Sequence, residues 1–530
     1  MSLSKVALVA INAKYVHSSL AVWVLADGVS KYACAPHDIQ VIEATIHQEN
    51  SDIAGRVTAF APDVVGISTY IWNAEKLHGL LMLLKEKLPK AIFVLGGPEA
   101  SHNSEHWLAH GADYVLRGEG EHTFPLLLDT LGGAKPMQPE PERPIEPIDP
   151  YSGAYFDALG GRIAYIETSR GCPYQCTFCL SGGSGVVFFP LEAIKNQLDK
   201  LSHSGTKTIK LVDRTFNCNA DRAYELFEYI IGLNTECCFH FEVAADLFDD
   251  RTISLLCCAP PGRVQLEAGL QSYYEPALKA SSRQMNIEKA EMNIRLLLKN
   301  NNVHIHVDLI AGLPYETLSD FQAGFNRAFA LGAHTLQLGF LKLLHGSKIR
   351  EQAEDMQIQY SSRPPYEIVC SPWLSAEDFL ILRQTENALR HTYNKGRFLS
   401  ALEYVMSASG LAPFSLLHIL GEIAPNHGTQ LADYARQIYD CFVGLPNVCD
   451  EKLRDCMVCD WLGMVKGKNM PHFLINHDKR RAQLIKAAGA SFGHTVARDE
   501  AAILHSGTGV IVDSNNRDPV TGLYRLSFIG

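Results

Sequence analysis

Long apolar runs are absent from this 530-residue sequence. Its hydrophobic stretches are short and broken by polar residues, so none reaches the ~20 residues a membrane helix needs. The opening MSLSKVALVAINAKY turns polar too early for a secretory signal and reads instead as a first strand. Positive charge is in deficit: 47 Lys and Arg stand against 58 Asp and Glu, a net charge of −11. No global basic field therefore draws the chain to nucleic acid or to an anionic membrane. Internal repeats are absent too. Cysteine is sparse, at 14 residues. Without a secretory signal, those thiols fit a reducing cytoplasm, where cysteines serve cores, metals or catalysis more often than disulfides. Hydrophobic residues make up 47% and charged residues 20%, as in an ordinary globular protein. The length predicts three or four domains.

Apolar and amphipathic segments alternate from residue 5 to 130. KVALVAI, DIQVIEA, VVGIST, AIFVLGG and ADYVLRG read as five short strands, with helical runs such as Ala74 to Leu88 between several of them. That alternation predicts an α/β domain, a doubly wound parallel sheet of Rossmann-like type over residues 1–131, binding its ligand at the strand carboxyl ends. No G-x-G-x-x-G follows the first strand, which argues against a dinucleotide. Residues 132–150 carry a dense run of prolines and predict an extended linker. Residues 151–346 alternate again, with RIAYIET, KTIKLVD, FHFEVA, RVQLEAG, VHIHVDLI and HTLQLGFL as strands. Six β/α units predict a partial TIM-type barrel, reactive at its strand carboxyl ends. Residues 347–530 read as mainly helical, for example Glu377 to Leu389 and Leu431 to Phe442, with a terminal hairpin about Asp518 to Gly522.

The strongest chemical signal is RGCPYQCTFC, in which Cys172, Cys176 and Cys179 follow a strand with spacing C-x3-C-x2-C. Three clustered thiolates suit three irons of a 4Fe–4S cluster and leave the fourth iron open to an exogenous ligand. A zinc site is the alternative, but it wants a nearby fourth ligand, and the next Cys or His is His203.

A triad after the first strand of a six-unit β/α run resembles the radical S-adenosylmethionine superfamily over residues 162–345. HVDLIAGLPYET, His306 to Thr317, is similar to the fifth-strand motif of its coproporphyrinogen-oxidase-like and methylthiotransferase-like branches. The resemblance implies that the open iron chelates S-adenosylmethionine and that the reduced cluster cleaves it to a 5′-deoxyadenosyl radical. It also implies Phe178 beside the adenine, and Asp213, Glu242, Glu267 and Asp308 on ribose hydroxyls or the methionyl ammonium. Arg283 would meet the methionyl carboxylate, whose geometry a guanidinium matches. The sequence departs at the second strand, where VDRTFN stands in place of a glycine-rich motif.

Strand-end loops of the first domain carry a second set of marks: INAKYVHSSLA, VGISTYIW, LGGPEAS and RGEGE. Together they resemble the cobalamin-binding domain that precedes some radical S-adenosylmethionine domains. The implied corrin contacts are Asn12, Tyr15, His17, Ser18, Ser68, Thr69, Tyr70, Gly96, Gly97, Pro98, Glu99, Gly118, Glu119 and Gly120. Ser101 is a further hydroxyl available to the corrin amides. The D-x-H-x-x-G that supplies a cobalt-ligating His is absent. His17 stands in the matching loop, as a lower ligand or as a residue that orders the loop; an unligated cobalt is preferred. Near the other end Cys441, Cys449, Cys456 and Cys459 lie close in sequence. Cys456 and Cys459 form a C-x2-C that reads either as a second metal site or as core helix.

Domain order resembles cobalamin-type radical proteins with a C-terminal domain of the DUF4080 type. The implied activity is cobalamin-dependent radical methylation of an unactivated centre, on a small molecule, peptide or RNA. A flavodoxin or ferredoxin would be the reductant. Other cobalamin-assisted radical chemistry (cyclisation, rearrangement or thiolation) and a non-enzymatic redox or light sensor are the alternatives.

Overall fold

In the computed structural model, residues 5–133, 147–183, 185–424, 430–465, 469–492 and 496–529 are described. Residues 134–146, most of the expected proline-rich linker, lie outside them. The chain divides into two compact units. One comprises Met1–Leu255, Lys279–Gln284 and Leu341–Ser371; the other comprises Leu256–Leu278, Met285–Phe340 and Pro372–Gly530.

The first unit opens with five parallel strands: β1 (Lys5–Asn12), β2 (Asp38–Thr45), β3 (Val64–Ser68), β4 (Ile92–Gly96) and β5 (Tyr114–Val115), in spatial order β2-β1-β3-β4-β5. β1 is apolar on both faces because helices cover both. Ala7, Val9 and Ile11 face Ile53, Val57, Leu77 and Leu80. Val6, Leu8 and Ala10 face Val22, Val29, Phe124 and Leu128. The strand order reverses between β1 and β3. Doubly wound sheets form their ligand crevice at that switch point.

The same unit continues with parallel strands β6 (Ala164–Ile166), β9 (Thr208–Leu211) and β10 (Cys238–Val243). Between them an antiparallel pair, β7 (Ser169–Cys172) and β8 (Gly185–Phe188), carries the cysteine loop. The sequence had not suggested this hairpin. A short antiparallel pair, β14 (Gln359–Tyr360) and β15 (Ile368–Cys370), closes the unit.

The second unit holds parallel strands β11 (Val264–Gln271), β12 (His304–Ala311) and β13 (Thr335–Phe340). All six strands of the expected β/α run thus form, three in each unit. Helices follow over Ala376–His391, Leu399–Ser409, Pro413–Ile423, Leu431–Val443, Asp450–Met464 and Arg481–Phe492. None is long and apolar enough to cross a membrane alone. The chain ends in an antiparallel sheet of β16 (Ala501–Ile503), β17 (Gly509–Arg517) and β18 (Tyr524–Ile529). The expected hairpin is there. Asp518 Oδ1 accepts from the amides of Val520 (2.9 Å) and Thr521 (2.8 Å), and Gly522 takes φ +74°. The carboxylate stands in for a backbone acceptor, and glycine meets the left-handed turn position at little cost.

Two helices of the second unit approach closely at Gly421, where an added Cβ would lie 1.9 Å from the Gln384 carbonyl oxygen. Gly421→Ala must push these helices apart. The expected loss is about 1–3 kcal/mol, read as a lowered thermal unfolding midpoint; an unchanged midpoint would refute the close packing.

Candidate functional site

The cysteine loop is fixed before any ligand arrives. Asp213, just past β9, is 1% exposed. Its carboxylate accepts from the Thr168 amide (3.1 Å), the Thr168 hydroxyl (2.7 Å) and the Ser169 hydroxyl (2.5 Å). Burial pushes its pKa up to about 6 against those bonds. Its oxygens are spent on the entry to the cysteine loop, and it has no exposed face to offer. Further along, Thr177 N donates to Ser281 O at 3.0 Å and Thr177 O accepts from Ile349 N at 3.0 Å.

Cys172 and Cys176 are buried, Cys179 is half-buried, and all three are free thiols. Ser181 N donates to Cys179 Sγ at 3.4 Å. Burial raises the Cys176 thiol, and the Arg283 guanidinium opposes that rise. Arg283 Nη1 lies 3.8 Å from Cys176 Sγ, and its guanidinium sits over the Tyr174 ring. A cation beside a thiol favours the thiolate, the form that binds metal. Three sulfurs on one pinned loop with a guanidinium beside them fit an iron–sulfur cluster. Phe178 is half-buried beside Cys179. Glu242 on β10 pairs with Lys210 on β9 at 3.4 Å.

Arg170, two residues before Cys172, gathers three carboxylates. Its Nη1 reaches Glu121 at 2.6 Å and Glu119 at 3.3 Å, while Nη2 reaches Glu167 at 2.6 Å. Glu119 and Glu121 belong to the RGEGE loop after β5. The cysteine loop and this strand-end loop are therefore joined by a charge-assisted contact.

At the crevice between β1 and β3, Trp72 Nε1 and Asn73 Nδ2 both donate to Ile11 O at 3.1 Å. Tyr70 stacks on Trp72 with ring centres 4.2 Å apart. Tyr15 is 76% and Trp72 45% exposed, so two aromatic residues face outward at the switch point. Trp72 was not among the expected contacts. Gly97 has φ +93°, and a Cβ there would lie 2.6 Å from Thr69 O, so only glycine lets these loops close together. Gly96, at the end of β4, and Pro98, first residue of the helix Pro98–His102, flank it. Gly118 takes φ +73° ahead of the helix that starts at Gly120.

Several of the residues expected on the corrin also build the loops. Thr69 is fully buried, donating to Gly96 O (2.7 Å) and accepting from Ala100 N (2.8 Å). Asn12 Nδ2 donates to His17 O (3.0 Å) and to Glu43 (2.8 Å). Ser18 donates to Ile163 O at 2.7 Å. Ser68 is 7% exposed at the end of β3, and Ser101 donates to Leu116 O at 3.3 Å. Glu99 is 3% exposed and accepts from the Tyr366 hydroxyl at 2.5 Å. His17 Nδ1 lies 2.6 Å from the Tyr165 hydroxyl, and burial lowers its pKa. The contact joins the loop after β1 to β6.

In the second unit, Glu267 on β11 is the register partner of His306 on β12. His306 Nε2 lies 2.9 Å from Asp308, and donor atoms of all three residues fall within 4.8 Å of one another. That donor set has the spacing to share a cation or a proton. Glu316, next to last in the fifth-strand motif, is 1% exposed and accepts from the Ser272 hydroxyl at 2.5 Å. Neither His306 nor Glu316 was singled out from the sequence. Cys456 and Cys459 lie one turn apart on Asp450–Met464, with burial pushing their thiols up to about 11 and about 12. Among the described residues no third Cys, His or carboxylate joins them within metal-ligand distance. Both are half-buried, Cys441 is buried and Cys449 is exposed.

Residues 6–128 match the B12 binding domain, 166–327 the Radical SAM superfamily, and 354–492 the family described as protein of unknown function DUF4080. The chain thus carries, in order, the domains of cobalamin-binding radical S-adenosylmethionine proteins. Their cofactors are a 4Fe–4S cluster, S-adenosylmethionine and cobalamin. An uncharacterized methyltransferase of Pyrococcus horikoshii is 24% identical over 60% of this chain and 75% of its own length. The cobalamin-dependent radical SAM methyltransferase TokK of Streptomyces tokunonensis is 22% identical over 73% of this chain and 62% of its own. The solved cobalamin-dependent radical enzyme OxsB, with aqua-cobalamin and S-adenosylmethionine bound, shares the fold at TM-score 0.60 and 14% identity, over 86% of this chain and 78% of its own.

Burial pushes the Glu316 carboxyl from an ordinary 4.5 up to about 8, a rise the Ser272 bond opposes. The folded chain holds this proton more tightly than the unfolded chain. The group therefore favours folding at and below about pH 4.5 and loses that contribution as pH climbs to 8. Glu316→Gln should flatten this part of the pH profile of thermal stability. A profile parallel to the parent's would remove Glu316 as its source.

Proposed function

We propose that this chain is a cobalamin-dependent radical methyltransferase acting on an unactivated centre of its substrate. The observation that carries the reading is the contact of Arg170 with Glu121 at 2.6 Å, which ties the three-cysteine loop to a loop of the cobalamin-type sheet. A methyl donor and a radical source must work on one substrate atom, so the two loops need a fixed separation. The relatives named above as methyltransferases support methyl transfer over the other radical chemistries.

When bound, the cluster with S-adenosylmethionine supplies a 5′-deoxyadenosyl radical and the corrin supplies a methyl group. Cys172, Cys176 and Cys179 hold the cluster, and Arg283 offsets thiolate charge at Cys176. Phe178, Glu242, Glu267 and Asp308 are the side chains proposed for S-adenosylmethionine. Tyr15, Tyr70 and Trp72 offer the corrin an aromatic shelf, and the backbones at Gly96 to Glu99 and Gly118 to Gly120 approach its rim.

Anaerobic reconstitution with iron, sulfide, hydroxocobalamin and methyl-labelled S-adenosylmethionine tests this. The parent should release 5′-deoxyadenosine and pass label to product when a lysate metabolite fraction is supplied. Replacing all three cysteines by Ala should abolish both and remove nearly all iron. 5′-Deoxyadenosine release without label transfer would replace methylation by another radical reaction.

His17 is held by Tyr165, so we place it as a loop-ordering residue and leave cobalt without a protein nitrogen below it. His17→Ala should leave the visible spectrum of bound cobalamin unchanged. An axial nitrogen splitting in the parent's electron-spin signal, lost in the variant, would make His17 a ligand instead.

A further inference from the structure

Residues Leu341–Ser371 leave the last β/α strand and return to the first unit, where they touch both loops of the proposed site. At one end Ile349 N donates to Thr177 O at 3.0 Å, between Cys176 and Cys179. At the other the Tyr366 hydroxyl donates to buried Glu99 at 2.5 Å, on the loop after β4. The segment is stiffened between these contacts. Leu343 N donates to Tyr366 O at 2.9 Å, Ile368 N to Leu341 O at 3.0 Å, and Arg350 Nη1 to Leu343 O at 2.6 Å. The Arg350 guanidinium also lies 4.9 Å from the Tyr366 ring centre. Ser347 and Ile349 are completely buried.

A third contact fixes the segment's height above the sheet. Gly346 has φ +84°, and a Cβ there would come within 2.2 Å of His102 Nδ1. Glycine is required twice over, by the backbone angle and by the approach to the helix Pro98–His102. The segment is thus seated on the loop that the cobalamin domain offers and on the loop that carries the thiols, by contacts independent of Arg170.

We propose that Leu341–Ser371 is a positioning strap that sets the separation of corrin and cluster, with Tyr366 on Glu99 as its grip on the corrin side. The proposal rests on the cobalamin-and-cluster reading above. Tyr366 touches no reacting atom in this scheme; it acts through Glu99. Glu99 is buried and takes Tyr366 and Asn103 as hydrogen-bond partners, so loss of the hydroxyl removes its one bond to the strap and loosens the loop against it.

The experiment uses the full chain, reconstituted anaerobically with iron, sulfide and hydroxocobalamin. It compares the parent with Tyr366→Phe, Glu99→Ala, the double variant and Gly346→Ala. Iron and sulfide content reports an intact cluster. Equilibrium dialysis gives cobalamin affinity. The magnetic dipolar coupling between the reduced cluster and bound paramagnetic cobalt reads their separation, because it falls with the cube of distance. Tyr366→Phe should keep the parent's iron, weaken cobalamin binding by about tenfold, and broaden or shift the dipolar coupling. Gly346→Ala should do the same by lifting the strap off His102. The double variant should add nothing to Glu99→Ala, because both remove one contact. Parent-like affinity and coupling in Tyr366→Phe, or additive losses in the double variant, would overturn the strap. A parent that retains no cobalamin would sink the functional reading and the strap together; a parent that binds normally isolates the strap.

Discussion

The first unit depends on one guanidinium. Arg170 sits on the strand that ends in Cys172, and its partners are Glu167 on its own loop and Glu119 and Glu121 on the loop after β5. Glu121 is buried, so its charge must be met inside the protein. Removing the arginine would leave a buried carboxylate unpaired, a loss of about 3–5 kcal/mol in comparable cases. Without that tie the thiol loop would still be pinned to β9 through Asp213, but the sheet that offers the corrin site would lose its charged link to it. The Phe189 ring lies 5.6 Å from the guanidinium.

A second network builds the loop after β1 from the opposite direction. Glu43 on β2 accepts from Asn12, Ser19 N, Trp23 Nε1 and Arg162. Arg162 Nη1 also donates to His17 O at 3.0 Å. These five hydrogen bonds of one carboxylate and its arginine hold residues 12–23 in a single arrangement. A loop so prepared spends little conformational entropy when a large flat ligand settles on it.

That network shows why the scaffold was legible in the sequence and the ligand contacts were not. Parallel strands covered on both faces are runs of Val, Ile, Leu and Ala, so β1 and β3 declare themselves. The three cysteines declare themselves by spacing. The polar residues at strand ends do not divide into loop builders and ligand holders by type. Asn, Ser and Thr bond nearby backbone as readily as they bond a cofactor. Asn12, Ser18 and Thr69 turned inward, as did Asp213, although each stands where a ligand contact is expected. Trp72 reads as an ordinary loop aromatic until its indole is seen bonded to Ile11 O at the switch point. His306 lay inside a recognised motif, yet its pairing with Glu267 depends on the register of two strands far apart in sequence. The β7–β8 hairpin was hidden for a related reason: its strands are four residues each, too short to show a period.

The two arginines beside the thiol loop complete the electrostatic logic. Thiolates and cluster sulfides concentrate negative charge, and a nearby cation makes an added electron easier to accept. Arg170 is surrounded by three carboxylates, its field at longer range is cancelled, and it acts as a mechanical tie. Arg283 lies against Cys176 Sγ and the Tyr174 ring, a sulfur and an aromatic face that each favour a cation. The chain thus assigns one guanidinium to holding the loop and the other to its sulfurs. The division follows from geometry: Arg170 extends from the strand toward the acidic RGEGE loop, while Arg283 arrives from a different segment on the sulfur side. Exchanging their surroundings would leave the loop untied and the thiols without their cation, so the two positions are not equivalent despite their common charge.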